Sequence, residues 1–316
     1  MRMETIRLSG SSQQITRVGL GGCPLGGHGW GHVDDSESIA AIRRALELGV
    51  NFFDTADVYG FGHSEKILSK ALGSRRHSVV IGSKFGVRWD QAKNIRKDIS
   101  PKYLRSALDA SLRRLHLECL PLYYIHWPDG ITPIGDAMEE LERLRRAGKV
   151  RWIGVSNFSA AQVREALAVA AVHALQVQFS LVDRGPVTGL LPLASQAGIT
   201  VITWGSLAQG LLSGKYDRSA RFGPDDRRHR YGNFLGERFD RNLQVVDGLR
   251  RVAQRLNRTP AQVAIRWLLD TRAVGSVLFG AKRPAQIEEN ACALGWNLSD
   301  VDYAALEALT QQAIAA

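Results

Sequence analysis

Short apolar runs alternate along this chain with longer stretches whose apolar positions recur every three or four residues. The runs "RVGLGG", "VNFFD", "SVVIGSK", "CLPLYYIH", "VRWIGVSN", "ALQVQF", "ITVITW" and "VGSVLFG" read as eight strands. Amphipathic helices lie between them. In "DDSESIAAIRRALELG", Asp35 or Ser36 caps the start, Ile39, Ile42 and Leu46 share one face, and Gly49 stops the helix. In "SPKYLRSALDASLRRL", Ser100 is the N-cap and Pro101 takes the first helical position, where a missing N–H costs nothing. Leu104, Leu108, Leu112 and Leu115 form its buried stripe. Further helices read in "SEKILSKALG", "IGDAMEELERLRRAG", "SAAQVREALAVA", "TGLLPLASQAG", "AQVAIRWLLD" and "PAQIEENACAL". Strands that alternate with helices favour a parallel sheet. Eight such units in 316 residues predict an α/β fold, a closed (β/α)8 TIM barrel.

Two segments fall outside that count. Residues 4–14 predict a small N-terminal hairpin across the barrel bottom. Residues 213–258 are too long for a simple strand-to-helix turn and read as irregular until Thr259-Pro260 opens the next helix. Extra helical sequence follows the last strand. No composition shift marks a boundary, so residues 1–316 are read as one domain.

Composition adds a few exclusions. Hydrophobic content of 45% and charged content of 23% suit a globular protein with a sizeable core. The polar start "MRMETIRLSGSSQQ" lacks the apolar segment of a secretory signal, and no apolar run approaches the ~18 residues of a membrane span. Cys23, Cys119 and Cys292 are odd in number and far apart, which suggests neither disulfides nor a metal knuckle. The expectation is a cytoplasmic protein with no bound metal and no membrane association. The formal charge of +10 raises a nucleic-acid partner or a phosphate-bearing ligand. Most cations are interspersed with acids along helices. The one local concentration, "DRSARFGPDDRRHR" at 217–230, accompanies no nucleic-acid motif. It reads as a solvated loop or the contact of an anionic small ligand; no nucleic-acid partner is expected.

In such a barrel, side chains at the C-terminal strand ends converge on one mouth. Asp54, Lys84, His126, Ser156, Gln176 and Trp204 fall at or near six different strand ends, and Tyr59 follows Asp54 by five residues. Each alone has a plain structural reading: a turn carboxylate, a solvated lysine, a core histidine. Their joint arrival points to chemistry. A tyrosine near pKa 10 exchanges protons poorly at neutral pH. A neighbouring lysine is expected to lower that value, and a carboxylate such as Asp54 to hold the lysine in place. A histidine beside the phenol can orient a substrate oxygen. Together these make a proton-transfer device for a carbonyl or an alcohol.

The phrases "FFDTADVYGFGHSE", "SKFG", "YYIHWPD", "GVSNF", "SLAQGLLSGKY" and "GAKRPAQIEEN" resemble, in order, successive signatures of the aldo-keto reductase superfamily. The likeness runs from about residue 5 to about residue 310 and is strongest to bacterial general-purpose members and the potassium-channel β-subunit-like branch. It implies that Tyr59 is the proton donor, that Lys84 and Asp54 tune it, and that His126 positions the carbonyl. It also implies an NADPH site. Ser156, Asn157 and Gln176 would grip the nicotinamide carboxamide, with Asp54 nearby, and Trp204 would stack on the ring where most relatives carry tyrosine. Gly205, Ser206, Leu207 and Gly210, with Lys215, would meet the pyrophosphate, and Gly21, Gly22 and Gly280 would border the cofactor. Lys282 and Arg283 would face the 2′-phosphate, and Gln286, Glu289 and Asn290 the adenine.

Two departures stand out. Leu278-Phe279-Gly280 replaces a common Ile-Pro-Gly, and Gly22-Cys23 a common Thr-Trp or Thr-Met. Cys23 reads either as a contact to cofactor or substrate or as a small buried filler. Trp30, Trp89 and Trp127 are expected at the mouth, as substrate walls or as rim packing. The implied activity is NADPH-dependent reduction of an aldehyde or ketone, a small carbonyl or sugar. Oxidation of an aldose or other alcohol with NAD(P)+, or a nicotinamide-sensing subunit, uses the same residues. Residues 215–242, rich in arginine and glycine, are expected either to fold over the dinucleotide or to form a static surface loop.

Overall fold

The structure, a computed structural model, describes residues 3–315. It opens with an antiparallel hairpin, β1 (Thr5–Arg7) and β2 (Gln14–Thr16), in which Ile6 faces Ile15. Then β3 (Val18–Gly21), β4 (Phe52–Asp54) and β5 (Val80–Phe85) begin the barrel. A second hairpin, β6 (Val87–Trp89) and β7 (Ile95–Lys97), leaves its rim. The barrel is completed by β8 (Leu120–Ile125), β9 (Val150–Ser156), β10 (Ala174–Gln178), β11 (Thr200–Trp204) and β12 (Val274–Gly280). These eight strands close in parallel, in chain order, with β12 beside β3. The predicted (β/α)8 barrel is the observed fold.

The outer layer is α1 (Asp35–Glu47), α2 (His63–Leu72), α3 (Pro101–Leu115), α4 (Ile134–Arg146), α5 (Ala160–Val169), α6 (Leu190–Gln196), α7 (Gly236–Arg255), α8 (Pro260–Asp270), α9 (Pro284–Ala291) and α10 (Asp300–Ala315). In α3 the Ser100 hydroxyl accepts from Tyr103 N, and all four leucines of the stripe are buried, as the sequence predicts. The cap of α1 is Asp34, not Asp35 or Ser36: its carboxylate accepts from Glu37 N. Residues 213–258 are less irregular than their composition suggests. Their second half is α7, whose Phe239, Leu243, Val246, Leu249 and Val252 form a buried stripe that dense arginines obscure in the sequence. Gly248 lets α10 approach: a Cβ there would lie 2.4 Å from Leu309 Cδ1.

Strand alternation divides the core in two. Phe52, Val80, Leu122, Tyr124, Trp152, Ala174, Ile202 and Leu278 point inward, while Phe53, Ile81, Tyr123, Ile125, Ile153 and Leu175 pack against the helices. Leu8 and Ile15 of the hairpin join the inner cluster, and Ser9 N donates to Oγ1 of Thr200 at the start of β11, at 2.9 Å. The hairpin therefore plugs the bottom, leaving the opposite end as the mouth. No helix among the described residues is long and apolar enough to cross a membrane.

Candidate active site

The period of two that turns Phe52 inward also turns Asp54 inward. The same parity places Lys84 above Val80, His126 above Tyr124, and Ser156, Gln176 and Trp204 on the inner face of their strands. Lys84 is 0% exposed and Asp54 4%, so their ion pair is sealed from water. Lys84 Nζ donates to Asp54 Oδ1 and, at 2.8 Å, to the Thr55 carbonyl. Gln176 Nε2 donates to Asp54 Oδ2 at 2.8 Å. The ring of Tyr124 forms the floor, 5.7 Å from Lys84 Nζ. Gly154 makes room for it, since a Cβ at 154 would lie 2.3 Å from Tyr124 Cδ1. Burial raises the Asp54 carboxyl, opposed by the charge and hydrogen bond of Lys84 and the bond from Gln176.

Tyr59 reaches the cluster from the turn after β4. Tyr59 N donates to Ala56 O at 3.2 Å, and Gly60 follows with φ of 59°. A Cβ at 60 would stand 2.1 Å from Gly26 O, so glycine alone lets this turn seat against the turn after β3. The Lys84 ammonium lies 5.1 Å from the Tyr59 ring centroid, and the His126 ring meets Tyr59 edge-on at 5.7 Å.

The electrostatics differ from the sequence expectation. Tyr59 shows a partly exposed face to the cleft, but its surroundings are protein, and burial pushes the phenol well above its ordinary value near 10. Cys23 and Asp54 act in the same direction and Arg227 against it. The lysine beside the ring does not leave a lowered phenol here, because burial outweighs it. Burial and Lys84 push His126 well below 6.5, leaving a neutral imidazole. Its Nδ1 is buried with no partner among the described residues.

Above the cluster opens a cleft of about 960 Å³. Ser156, Asn157, Gln176 and Trp204 line it near Tyr59. Asn157 Nδ2 is held by His126 O at 2.9 Å and Ser156 Oγ at 3.1 Å. Trp204 Nε1 is buried and unpartnered among the described residues. Beyond it, Gly205, Ser206, Leu207 and Gly210 form a tight turn, with Gly205, Ala208, Gln209 and Gly210 all at positive φ. The N–H groups of Ser206 and Leu207 find no acceptor among the described residues. Gly21 and Gly280 border the cleft at the ends of β3 and β12.

The far end of the cleft carries Lys215, Lys282 and Arg283, with Gln286, Glu289 and Asn290 of α9. Gln286 Oε1 accepts from Lys282 N at 2.8 Å and Arg283 N at 3.2 Å, closing the helix start. Lys282 Nζ donates to the Trp30 carbonyl, and Arg283 pairs with Glu37 at 3.2 Å. Burial and the charge of Arg228 depress the Lys282 ammonium; Asp226 opposes, while Lys215 and Arg283 add to the repulsion.

Two expected residues sit elsewhere. Gly22 is buried behind the cleft, its N–H donating to Asp54 O at 2.6 Å; a Cβ there would lie 2.7 Å from Ser64 Oγ. Trp89 stands behind Phe61, ring centroids 5.8 Å apart, and Phe61 is the aromatic that faces the cleft. The hairpin β6–β7 carries Trp89 off the rim, and the sequence pattern did not show that hairpin. Trp30 and Trp127 do line the cleft, as does Cys23.

The sequence reading named none of Arg227, Arg228 and Tyr231 singly; their signals were the basic cluster at 217–230, for the two arginines, and the segment 215–242. Tyr216, Phe222, Phe234 and Phe239 pack as an aromatic chain beneath that cluster, at centroid spacings of 4.9 to 5.8 Å. Asp226 bridges to Trp30, and Arg227 N donates to Gly29 O at 2.9 Å, so the segment crosses to the turn after β3. An aromatic face, a turn with free N–H groups and a cationic far end together suit an extended ligand with a planar head and phosphates behind it. Among the described residues no group of three or more metal-ligating side chains occurs.

The comparisons agree with this geometry. The Aldo/keto reductase family matches residues 17–311. "Aldo-keto reductase YhdN" of Bacillus subtilis (strain 168) is 35% identical over 99% of this chain and 95% of its own length. "NADH-specific methylglyoxal reductase" of Escherichia coli (strain K12) is 33% identical over 95% of this chain and 96% of its own. The solved glycerol dehydrogenase AKR11B4 from Gluconobacter oxydans superposes with a TM-score of 0.91 at 34% identity, covering 99% of this chain and 97% of that one. A matching family over nearly the whole chain, carried on the same barrel, means that this chain belongs to the aldo/keto reductase family of NAD(P)H-dependent oxidoreductases.

Proposed function

We propose that the protein, a single domain over residues 1–316, reduces a small aldehyde or ketone to an alcohol with NADPH, Tyr59 acting as general acid. The observation that carries this reading is the Tyr59 ring set edge-on to His126, above a sealed Lys84–Asp54 pair, where burial raises the phenol and lowers the imidazole. A nicotinamide dinucleotide, when bound, supplies the hydride. Trp204 offers its ring face to the nicotinamide, and Ser156 and Asn157 offer polar groups to the carboxamide. Gln176, its Nε2 given to Asp54, keeps its carbonyl as an acceptor. The free N–H groups of the 205–210 turn suit the pyrophosphate. The mutual repulsion of Lys282, Arg228, Lys215 and Arg283 is what a 2′-phosphate would relieve, which favours NADPH.

At the reacting end, Tyr59 gives its proton to the substrate oxygen as negative charge builds there. The Lys84 ammonium then stabilises the phenolate that remains, and Asp54 keeps Lys84 aimed and charged. His126, neutral, holds the oxygen in line without competing for the proton. Asp54 is thus a positioning residue.

The test is NADPH consumption across a panel of aldehydes, ketones and sugars, with Tyr59→Phe alongside. Turnover should fall by about 10²- to 10⁴-fold while NADPH Kd stays within a few-fold. Near-normal turnover by the variant on a good substrate would remove Tyr59 from the role. A second reading, alcohol oxidation, is favoured by the likeness to a glycerol dehydrogenase. It needs the phenolate, so its rate should climb with pH toward the raised Tyr59 pKa, whereas reduction needs the phenol and holds through neutral pH. Measuring both directions on one substrate pair separates the two readings.

A further inference from the structure

Within the basic cluster, two neighbouring arginines part company. Arg228 turns to the dinucleotide end: it pairs with Asp226 and lies over the rings of Tyr216 and Phe222, at 5.6 and 4.7 Å. Arg227 turns the other way. Its Nη2 donates to His28 O at 2.7 Å, its Nη1 lies 3.9 Å from Cys23 Sγ, and its guanidinium carbon is 5.5 Å from the Trp30 centroid. This is the Tyr59 side of the cleft, where the turn carrying Gly26 touches the turn carrying Tyr59 and Gly60.

Arg227 is partly buried, and among the described residues no carboxylate lies within ion-pair distance of it. Lys93, 5.6 Å from the Phe61 centroid, and Arg230 line the same part of the cleft, likewise without an ion pair among the described residues. Burial lowers the His28 imidazole, and these three cations push it the same way, which marks them as one cluster around it. The carboxylates of the cleft are engaged elsewhere. Asp54 holds Lys84, Glu37 holds Arg283, Asp34 caps α1, and Glu289 stands on α9 at the far end. A desolvated guanidinium without a counter-charge is unfavourable, and its planar fork of donors matches a carboxylate or a phosphate.

Building on the reductase reading above, we propose that Arg227 is a specificity-determining residue, and that the preferred substrate carries an anionic group, carboxylate or phosphate ester, besides its carbonyl. With the carbonyl oxygen at Tyr59 and His126, the anion meets Arg227 from the same pocket, and the ring faces of Phe61 and Trp30 flank the part between. Lys93 and Arg230, at the rim, draw the anion in. Arg228 serves the other end.

The experiment compares carbonyls that carry an anionic group with neutral counterparts. Glyoxylate, 4-oxobutanoate and 4-carboxybenzaldehyde are assayed against their methyl esters, and glyceraldehyde 3-phosphate against glyceraldehyde. The expected result is a kcat/KM at least tenfold higher for one anionic member than for its neutral partner. The carboxylate and phosphate arms tell which anion is preferred. In Arg227→Met that ratio should fall to near one, a loss of roughly ten- to a hundredfold for a charge-assisted bond, and Arg227→Lys should restore part of it. A ratio near one in the unaltered protein, or one that survives Arg227→Met, overturns the proposal. A loss of NADPH affinity in Arg227→Met with the ratio intact reassigns Arg227 to the cofactor. Binding of 4-carboxybenzamide, read by tryptophan fluorescence, needs no turnover. If no carbonyl is reduced, the reductase reading fails, and Arg227-independent binding of that anion sinks the substrate inference separately.

Discussion

Replacing Lys84 by methionine tests the buried pair directly. Methionine is one heavy atom shorter, carries sulfur in place of a methylene and lacks the ammonium, so the volume changes little. What is lost can be read from the structure. Asp54 Oδ1 loses its cation, the Thr55 carbonyl loses a donor at 2.8 Å, and Asp54 keeps only the bond from Gln176. With both partners sealed from water, removing one leaves an uncompensated buried charge, and the cost is about 3–5 kcal/mol. A domain with roughly 5–15 kcal/mol of stability can bear that and still fold.

The carboxyl will escape part of the cost by protonating. Burial already raises Asp54, and losing Lys84 raises it further. A carboxyl with a raised folded pKa contributes its stability fully below its unfolded value, about 4, and loses it as pH rises through the folded pKa. The deficit of Lys84→Met relative to the unaltered protein should therefore widen from about pH 5 to about pH 8. Adding Asp54→Asn removes the charge, so the double variant should recover at least about 1 kcal/mol at pH 8 and lose the pH dependence. Urea denaturation of all four proteins at both pH values completes the cycle. A pH-independent deficit, or a double variant no more stable than Lys84→Met, would refute a charged pair at the barrel mouth.

Lys282→Ala should weaken NADPH roughly ten- to a hundredfold and NADH much less; equal losses in fluorescence titrations would show that Lys282 does not meet the 2′-phosphate. Residues 215–242 cross the cleft from an aromatic anchor to the turn after β3, so closing over the dinucleotide is the proposed role. At NADPH near 100 times its Kd, amides whose opening releases cofactor should gain up to about 2.7 kcal/mol of protection, a factor near a hundred. Hydrogen exchange unchanged by saturating NADPH would leave the segment as static surface.

The sequence by itself determined the barrel and which strand-end polar side chains reach its mouth, because both follow from local periodicity. A period of two along β4 and β5 is enough to send Asp54 and Lys84 inward once Phe52 and Val80 do so, and strand ends are visible from apolar run lengths. The helix stripe on α3 is local in the same sense. What was not legible depends on contacts between residues far apart in the chain. Solvation is one such property: the lysine beside Tyr59 was visible, but only the packed surroundings show that burial outweighs it and raises the phenol. The hairpin that carries Trp89 behind Phe61 is another, since short exposed strands leave almost no periodic trace. The segment 215–242 shows the division most plainly. Its arginines were countable in the sequence, but which one faces Asp226 and which faces Cys23 is decided by a crossing to residues about 200 positions earlier. Side-chain direction there is set by the tertiary path of the backbone, and no local pattern encodes it.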